Sequence, residues 1–412
     1  MITISPVKRA LVPVDSQAAQ RIMGPNYDEF QSDEEIWEIL QAQPDCILRV
    51  TMAHCDQMHK SEIIKDGSPE ALDKAWENFK QLIEGPLTRI VENMLWVYEI
   101  RDRRRPELRQ IGLGGAAKTS EIRTEGTPNG SVIRNEGIRE EKARGRANLI
   151  EKTHSYIGTV NNTVEDANGR IVSALERFAD ARDADYEATD EFGNRHRVSL
   201  VTKPEDIEKF QKLFAEEPCA FVADGNHRSA AAALLGKEDY LAVFFTTGRM
   251  WLAPYNRLVK PRKKIENWPE ALSESFEVEL LGDLAEFQPT ETHEIGFYLP
   301  GHWHRLKAKP GTFDPENAAQ AIDSDIVQNR LFRDLLEIDD PRDEQLTFVG
   351  GNKSSAWLKD QVDQGRYEFA VTLPAVTMKQ FVEVCQQNRF MPPKSTWFEP
   401  KIRSGLVSAL LD

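Results

Sequence analysis

The sequence predicts an α+β protein built from two units, on three observations. A chain of 412 residues exceeds what one ordinary core accommodates. Over residues 219–247 a short apolar run, an alanine-rich helix and a second apolar run follow one another, the order of a mixed α/β layer. Beyond the basic, proline-containing joint "KPRKKIENWP" (260–269) helical and strand patterns recur. The boundary is expected there, dividing the chain into residues 1–259 and 260–412.

The elements can be justified in order. "SDEEIWEIL" carries a capping box, Ser32 with Glu35, ahead of apolar Ile36, Trp37, Ile39 and Leu40, and predicts a helix. Residues 69–83 show helical spacing and good helix formers. "MLWVYEI" (94–100) is aromatic and β-branched, hence a strand. A polar, basic stretch follows at 101–110, then "GLGG" with Gly112, Gly114 and Gly115. Residues 136–154 are charged and predicted helical. Residues 165–183 read as an amphipathic helix interrupted at Gly169. "TKPEDIEKFQKLF" (202–214) offers a Thr202/Glu205 capping box and one apolar face of Ile207, Phe210, Leu213 and Phe214. "CAFVAD" and "LAVFFTT" are buried strands. In the second half, strands are expected at 294–299 and 368–373, and helices near 323–337 and over 377–388.

Composition narrows the function classes. The net charge of -15 argues against a protein whose main task is gripping nucleic acid, since phosphate binding needs a surplus of Lys and Arg. Hydrophobic content of 40% with 29% charged residues indicates a folded, soluble chain. The cysteines at 46, 55, 219 and 385 are sparse and form no CxxC, which suits a reducing cytoplasm. No signal-peptide h-region is evident, and no apolar run approaches the ~18 residues of a membrane span. A cytoplasmic location is expected.

The chemistry concentrates in "FVADGNHRSAAAALLG" (221–236). A strand ends at Asp224, and a helix opens just after it. A helix N-terminus presents unpaired backbone N–H groups and a partial positive charge, a natural seat for phosphate. Gly225 lets backbone approach closely. Asn226 and His227 add hydrogen-bonding groups, and Arg228 offers the planar fork that phosphate prefers. Asp224 could cap the helix, hold magnesium or orient a hydroxyl. The plain alternative is a turn with an Asp cap and solvated side chains.

Other clusters carry the same two readings. Glu136 is a candidate general base, although it lies among Glu140, Glu141 and several arginines, as on a solvated helix face. Arg146 is a candidate phosphate or carboxylate clamp. Lys394, Ser395, Thr396 and Lys401 stand in a proline-held loop that could meet an anion, or could only strap Trp397 and Phe398 to the core. "HCDQMH" (His54, Cys55, His59) and "GHWH" (His302, His304) each lack the fourth ligand or second pair that zinc sites show. "VGGNKSS" (349–355) lacks P-loop spacing, and "GLGG" lacks a GxGxxG context.

Four segments in order resemble domain-of-unknown-function family 1015. "ADGNHR" is similar to its Asp-Gly-x-His-Arg motif. "GPNYDEFQSDEE" (24–35) resembles its Pro-Tyr-Asp segment, and "RNEGIREEKARGR" (134–146) its His-Glu-x-Thr segment. "MPPKSTWFEPKIRSGLV" (391–407) is very similar to its C-terminal signature. Three positions depart from the pattern: Asn226 and Asn135 replace histidines, and Ile138 replaces a threonine. Asn still hydrogen-bonds but cannot shuttle protons near neutral pH.

More distantly, the Asp-Gly-x-His-Arg element resembles the phosphate-binding turn of the ParB and sulfiredoxin superfamily, which includes nucleotide-hydrolysing partition proteins, sulfiredoxin and kinases of free serine. The resemblance implies a ParB/sulfiredoxin-like nucleotide-binding core with insertions, joined to a second α+β domain. It implies ATP or ADP at residues 224–228, with CTP left open, and Mg2+. The implied reaction is phosphoryl transfer to a small, serine-like hydroxyl compound. Asp224 and Glu136 would orient or deprotonate the hydroxyl, and His227, Arg228 and Arg146 would stabilise phosphate charge. The alternative is a nucleotide-binding conformational switch with slow or no hydrolysis. Expected partners are the nucleotide and a small substrate, without nucleic acid or membrane; a homo-oligomer remains open.

Overall fold

A computed structural model describes residues 1–26, 29–30 and 32–411. The chain divides into two compact units. The first comprises residues 1–134, 138–250 and 400–412, and the second residues 135–137 and 251–399. This differs from the expected division at 259/260 in two places. The strands Trp251–Ala253 and Asn256–Val259 pair within the second unit, because their apolar residues complete its sheets. The C-terminal segment returns to the first unit, where Ser408–Leu410 pairs with Val7–Pro13 on one side and Ser155–Tyr156 on the other.

The first unit is built on a twelve-stranded mixed sheet among the described residues. At its centre Arg109–Lys118 runs antiparallel to both Asp239–Thr246 and Thr88–Arg101. Val160–Val164 lies parallel to Asp239–Thr246 and antiparallel to Ala220–Asp224. Parallel neighbours need crossover connections, which the intervening helices provide. The fold is α+β, as the sequence indicates.

The glycines of "GLGG" serve packing. Gly114 stands in register with Trp96, and a Cβ there would lie 1.9–2.4 Å from three indole atoms. At Gly112 a Cβ would meet the Phe244 carbonyl oxygen at 2.6 Å. Bare backbone on this strand lets the aromatic rings of its neighbours lie across it.

Six of the twelve α-helices among the described residues begin at a residue whose side chain caps them. Ser32 accepts the N–H of Glu35 at the head of Asp33–Ala42. Three helix starts differ from expectation. The helix Pro204–Phe214 has Lys203, not Thr202, as its N-cap, because Pro204 at the first helical position needs no N–H partner and its fixed φ starts the helix there. Gly169 does not interrupt a helix; it precedes Arg170–Asp180 with φ 66°. The charged segment is helical only over Glu140–Thr153, so Glu136 is not on that helix.

The second unit carries a six-stranded antiparallel sheet and the two-stranded pair Trp251–Ala253 with Trp397–Glu399. Alternate residues of the larger sheet feed separate cores. Val259, Phe297, Phe369 and Val371 join one, while Leu258, Tyr298 and Ala370 join the other. The expected helix near 323–337 begins as Asp323–Val327 and continues as a π-turn over Gln328–Arg333. Among the described residues no helix is long and apolar enough to cross a membrane.

Gly114→Ala tests the packing account. Overpacking of this kind costs about 1–3 kcal/mol. Chemical denaturation should show a loss in that range, and an unchanged midpoint would contradict the account.

Candidate functional site

The 224–228 turn forms as its residues dictate. The strand Ala220–Asp224 ends, Gly225 takes φ 103°, and the helix Asn226–Leu234 starts at once. Only glycine adopts that φ without strain. The N–H groups of Arg228 and Ser229 return to the Gly225 carbonyl, at 2.9 and 3.0 Å.

Charged side chains of the first unit converge on this turn. Arg228 Nη2 lies 3.4 Å from Asp224 Oδ2, and Lys401 Nζ lies 3.8 Å from the same oxygen. Arg228 Nη1 donates to Asn26 Oδ1 at 3.0 Å. One carboxylate thus faces two cations. Asp224, expected as a metal or hydroxyl ligand, is held in ion pairs. His227 Nε2 accepts the backbone N–H of Arg139 at 3.0 Å. The ring is therefore neutral on that nitrogen and its proton sits on Nδ1. Arg146 lines a small cavity of about 20 Å³ together with Arg228, Tyr156 and Tyr240.

Lys401 is brought here by the C-terminal segment. Ser404 Oγ donates to Asn26 Oδ1 at 2.8 Å, and Asn26 Nδ2 donates to the Ile402 carbonyl at 2.9 Å. Asn26 is thus clamped between Arg228 and the segment that carries Lys401. Tyr27 and Asp28, which belong to the expected Pro-Tyr-Asp segment, lie outside the described residues.

Arg403 anchors that segment. Its side chain is 1% exposed and meets Asp190 at 2.9 Å, Glu191 at 3.1 Å and Glu29 at 3.7 Å. Asp190 also accepts from His196 Nε2 at 3.2 Å, and Tyr98 Oη donates to His196 Nδ1 at 2.7 Å. This fixes a neutral imidazole with its proton on Nε2. Burial alone would raise Asp190, but the His196 hydrogen bond and the Arg403 charge outweigh it and hold the carboxyl well below the usual carboxylate range. Burial pushes Glu29 up, against the pull of Arg403 and Lys401.

Polar residues on the adjoining strand were missed by sequence reasoning. Val160–Val164 reads Val-Asn-Asn-Thr-Val, and all five residues are buried. Asn161 stands in register with Asp224, and its Oδ1 is buried without a hydrogen-bond partner. Such an atom costs about 1–3 kcal/mol unless a ligand or water satisfies it. The detectable signal was two amides inside an otherwise β-branched run. Asn26, Asp190 and Arg403 gave no such local signal.

The remaining expected residues belong to the second unit. Glu136 forms an isolated parallel bridge with Met391, and Met391 N–H donates to the Asn135 carbonyl at 3.0 Å. Asn135 Nδ2 approaches Thr396 Oγ1 at 3.4 Å. The segments around 135 and 391–396, distant in sequence, therefore lie side by side. Ser395 Oγ is buried and committed to Ser324 Oγ and the Pro392 carbonyl, each at 2.7 Å. Lys394 adopts a left-handed φ of 58° and places Nζ 5.9 Å from the Tyr255 ring centre. Glycines at 350 and 351, from the "VGGNKSS" segment, accommodate Trp397, whose ring atoms a Cβ would meet at 2.2 and 3.2 Å. Among the described residues no metal-ligating group gathers at His302 and His304.

Asp190→Asn should destabilise the protein by about 3 kcal/mol or more at pH 7, because it weakens the compensation of a buried cation. A depressed folded pKa contributes stability above the unfolded value, near 4, and loses it as pH falls. The difference between wild type and variant should therefore shrink below about pH 4 in denaturant titrations. A pH-independent difference would contradict the assignment.

No curated protein matches the chain. Solved structures similar to it include the following three. A conserved hypothetical protein from Pyrococcus furiosus is 12% identical over 67% of this chain and 92% of its own, with a TM-score of 0.36. A free serine kinase in complex with AMP is 11% identical over 67% of this chain and 89% of its own, at 0.36. SbnI with a C-terminal truncation, from Staphylococcus aureus, is 9% identical over 70% of this chain and 84% of its own, at 0.38. The sequence profile of a family described as "Protein of unknown function (DUF1015)" matches residues 4–331. That span covers most of the molecule, and the chain belongs to domain-of-unknown-function family 1015.

Proposed function

We propose that the protein is a nucleotide-dependent phosphotransferase acting on a small hydroxyl compound. The observation that carries this reading is the pairing of Arg228 and Lys401 on one carboxylate at a strand–glycine–helix turn. Two cations, the N-terminal N–H groups of a nine-residue helix and a glycine without Cβ make a seat for a di- or triphosphate. Arg146, which shares a cavity with Arg228, adds a further positive charge. The unpartnered Asn161 Oδ1, in register with Asp224, accepts a hydrogen bond from a ligand hydroxyl.

The chemistry required of such a site is mainly positioning and electrostatics. Arg228 and Lys401 draw charge from the phosphate oxygens as the leaving group departs. Asp224 keeps both cations in place and turns them toward the anion. Mg2+ suits oxygen donors. Asp224 is an oxygen donor already shared by two cations, so in this reading Mg2+ is held chiefly by the nucleotide phosphates and shields their charge. The nucleotide is ATP or ADP, with CTP as the competing choice, and the acceptor is serine-like.

Calorimetry with ATP, ADP and CTP, each with Mg2+, tests the seat. Arg228→Lys keeps the charge and its pairing but loses the planar fork. It should weaken nucleotide binding by about tenfold or more, corresponding to about 1.5 kcal/mol or more, with melting little changed. Unaltered affinity with lower melting would make Arg228 a structural residue.

Nucleotide binding by the wild type without transfer to any of a pool of small alcohols would favour a conformational switch.

A further inference from the structure

The His54–Cys55 pair has no part in the nucleotide site. Its sequence neighbourhood supplies too few metal ligands, but the fold supplies more. His54 is 2% exposed, in the short turn Ala53–Cys55. Its Nε2 lies 3.3 Å from Asp33 Oδ1, and its Nδ1 lies 3.5 Å from Asp66 Oδ1. One donor atom each from Asp33, His54 and Cys55 fall within 4.8 Å of one another. Donors around a tetrahedral divalent ion, at bond lengths of 2.0–2.3 Å, stand about 3–4 Å apart. Small side-chain rotations close the difference. His59 lies outside the group, with its backbone N–H on Glu62.

Two flanking carboxylates account for the setting of His54. Cys55 packs beside Ile36, Leu40, Leu48 and Met52, yet its sulfur also stands within reach of the His54 and Asp33 donors. His54 Nδ1 is buried without a hydrogen-bond partner, and Asp66 stands on the side that a metal-bound imidazole turns toward a carboxylate.

We propose that Asp33, His54 and Cys55 bind a zinc-class divalent cation, with Asp66 orienting His54 through Nδ1. Thiolate, imidazole and carboxylate together suit zinc and exclude magnesium, so the ion is distinct from the Mg2+ that accompanies a nucleotide. Binding forms a metal–sulfur bond and releases the Cys55 proton to solvent. Asp33, His54 and Asp66 also line a cavity of about 470 Å³ with Lys142 and Arg146. Three protein ligands leave the fourth position for water or a small anion from that cavity.

The full chain, stripped with chelator and reloaded, tests this. Elemental analysis should find about one Zn2+ per chain. The Co2+-loaded protein should show thiolate-to-cobalt charge-transfer absorption, and Cys55→Ser should abolish it. His54→Gln should weaken Co2+ binding at least tenfold, and Asp66→Asn, through orientation alone, by about 10–100-fold. Should a variant fail to fold, the wild-type titration decides. Absence of a charge-transfer band in the wild type, or its survival in Cys55→Ser, overturns the proposal. Excess Mg2+ should not displace the cobalt; displacement would overturn the zinc-class assignment.

Discussion

The first unit depends on one buried cation. Arg403 sits among Asp190, Glu191 and Glu29 at 1% exposure. A charge so placed is costly unless several partners compensate it. Here the partners come from two separate stretches of sequence. The pairing fixes where the C-terminal segment runs, and that path sets Lys401 against Asp224 and the Ile402 carbonyl against Asn26. The cationic character of the turn at 224–228 therefore rests on a residue that does not itself touch it.

The same logic explains the choice of side chains around the turn. Asp224 cannot act as an isolated carboxylate, since Arg228 and Lys401 both lie against it. It holds two cations near each other without their full repulsion. Asn26 supports Arg228 from the other side with a neutral acceptor. The strand Val160–Val164 accepts the cost of buried amides beside this charge, a cost consistent with a polar ligand.

Much of this was legible in the sequence, and the reasons for the remainder are physical. The strand–turn–helix at 220–234 could be read because glycine, the apolar run and the alanine-rich segment are local signals. The capping box at Ser32 was equally local. The unit boundary was not, because strand pairing decides it: Trp251–Ala253 pairs with Trp397–Glu399, far along the chain. Pro204 overrode a capping box that looked sound on spacing alone. Lys401 was singled out from the family signature, but the ion pair that uses it joins positions 177 residues apart. The Arg403 network joins positions just as distant, and no window of sequence contains both ends.

A crystal structure of the protein with ATP and Mg2+ tests the central claim most directly. The account predicts phosphate oxygens on the backbone N–H groups of residues 225–227, in contact with the Arg228 guanidinium, and an ordered Lys401 ammonium nearby. A nucleotide bound elsewhere on the chain, with Asp224, Arg228 and Lys401 unchanged and closed on one another, would contradict it.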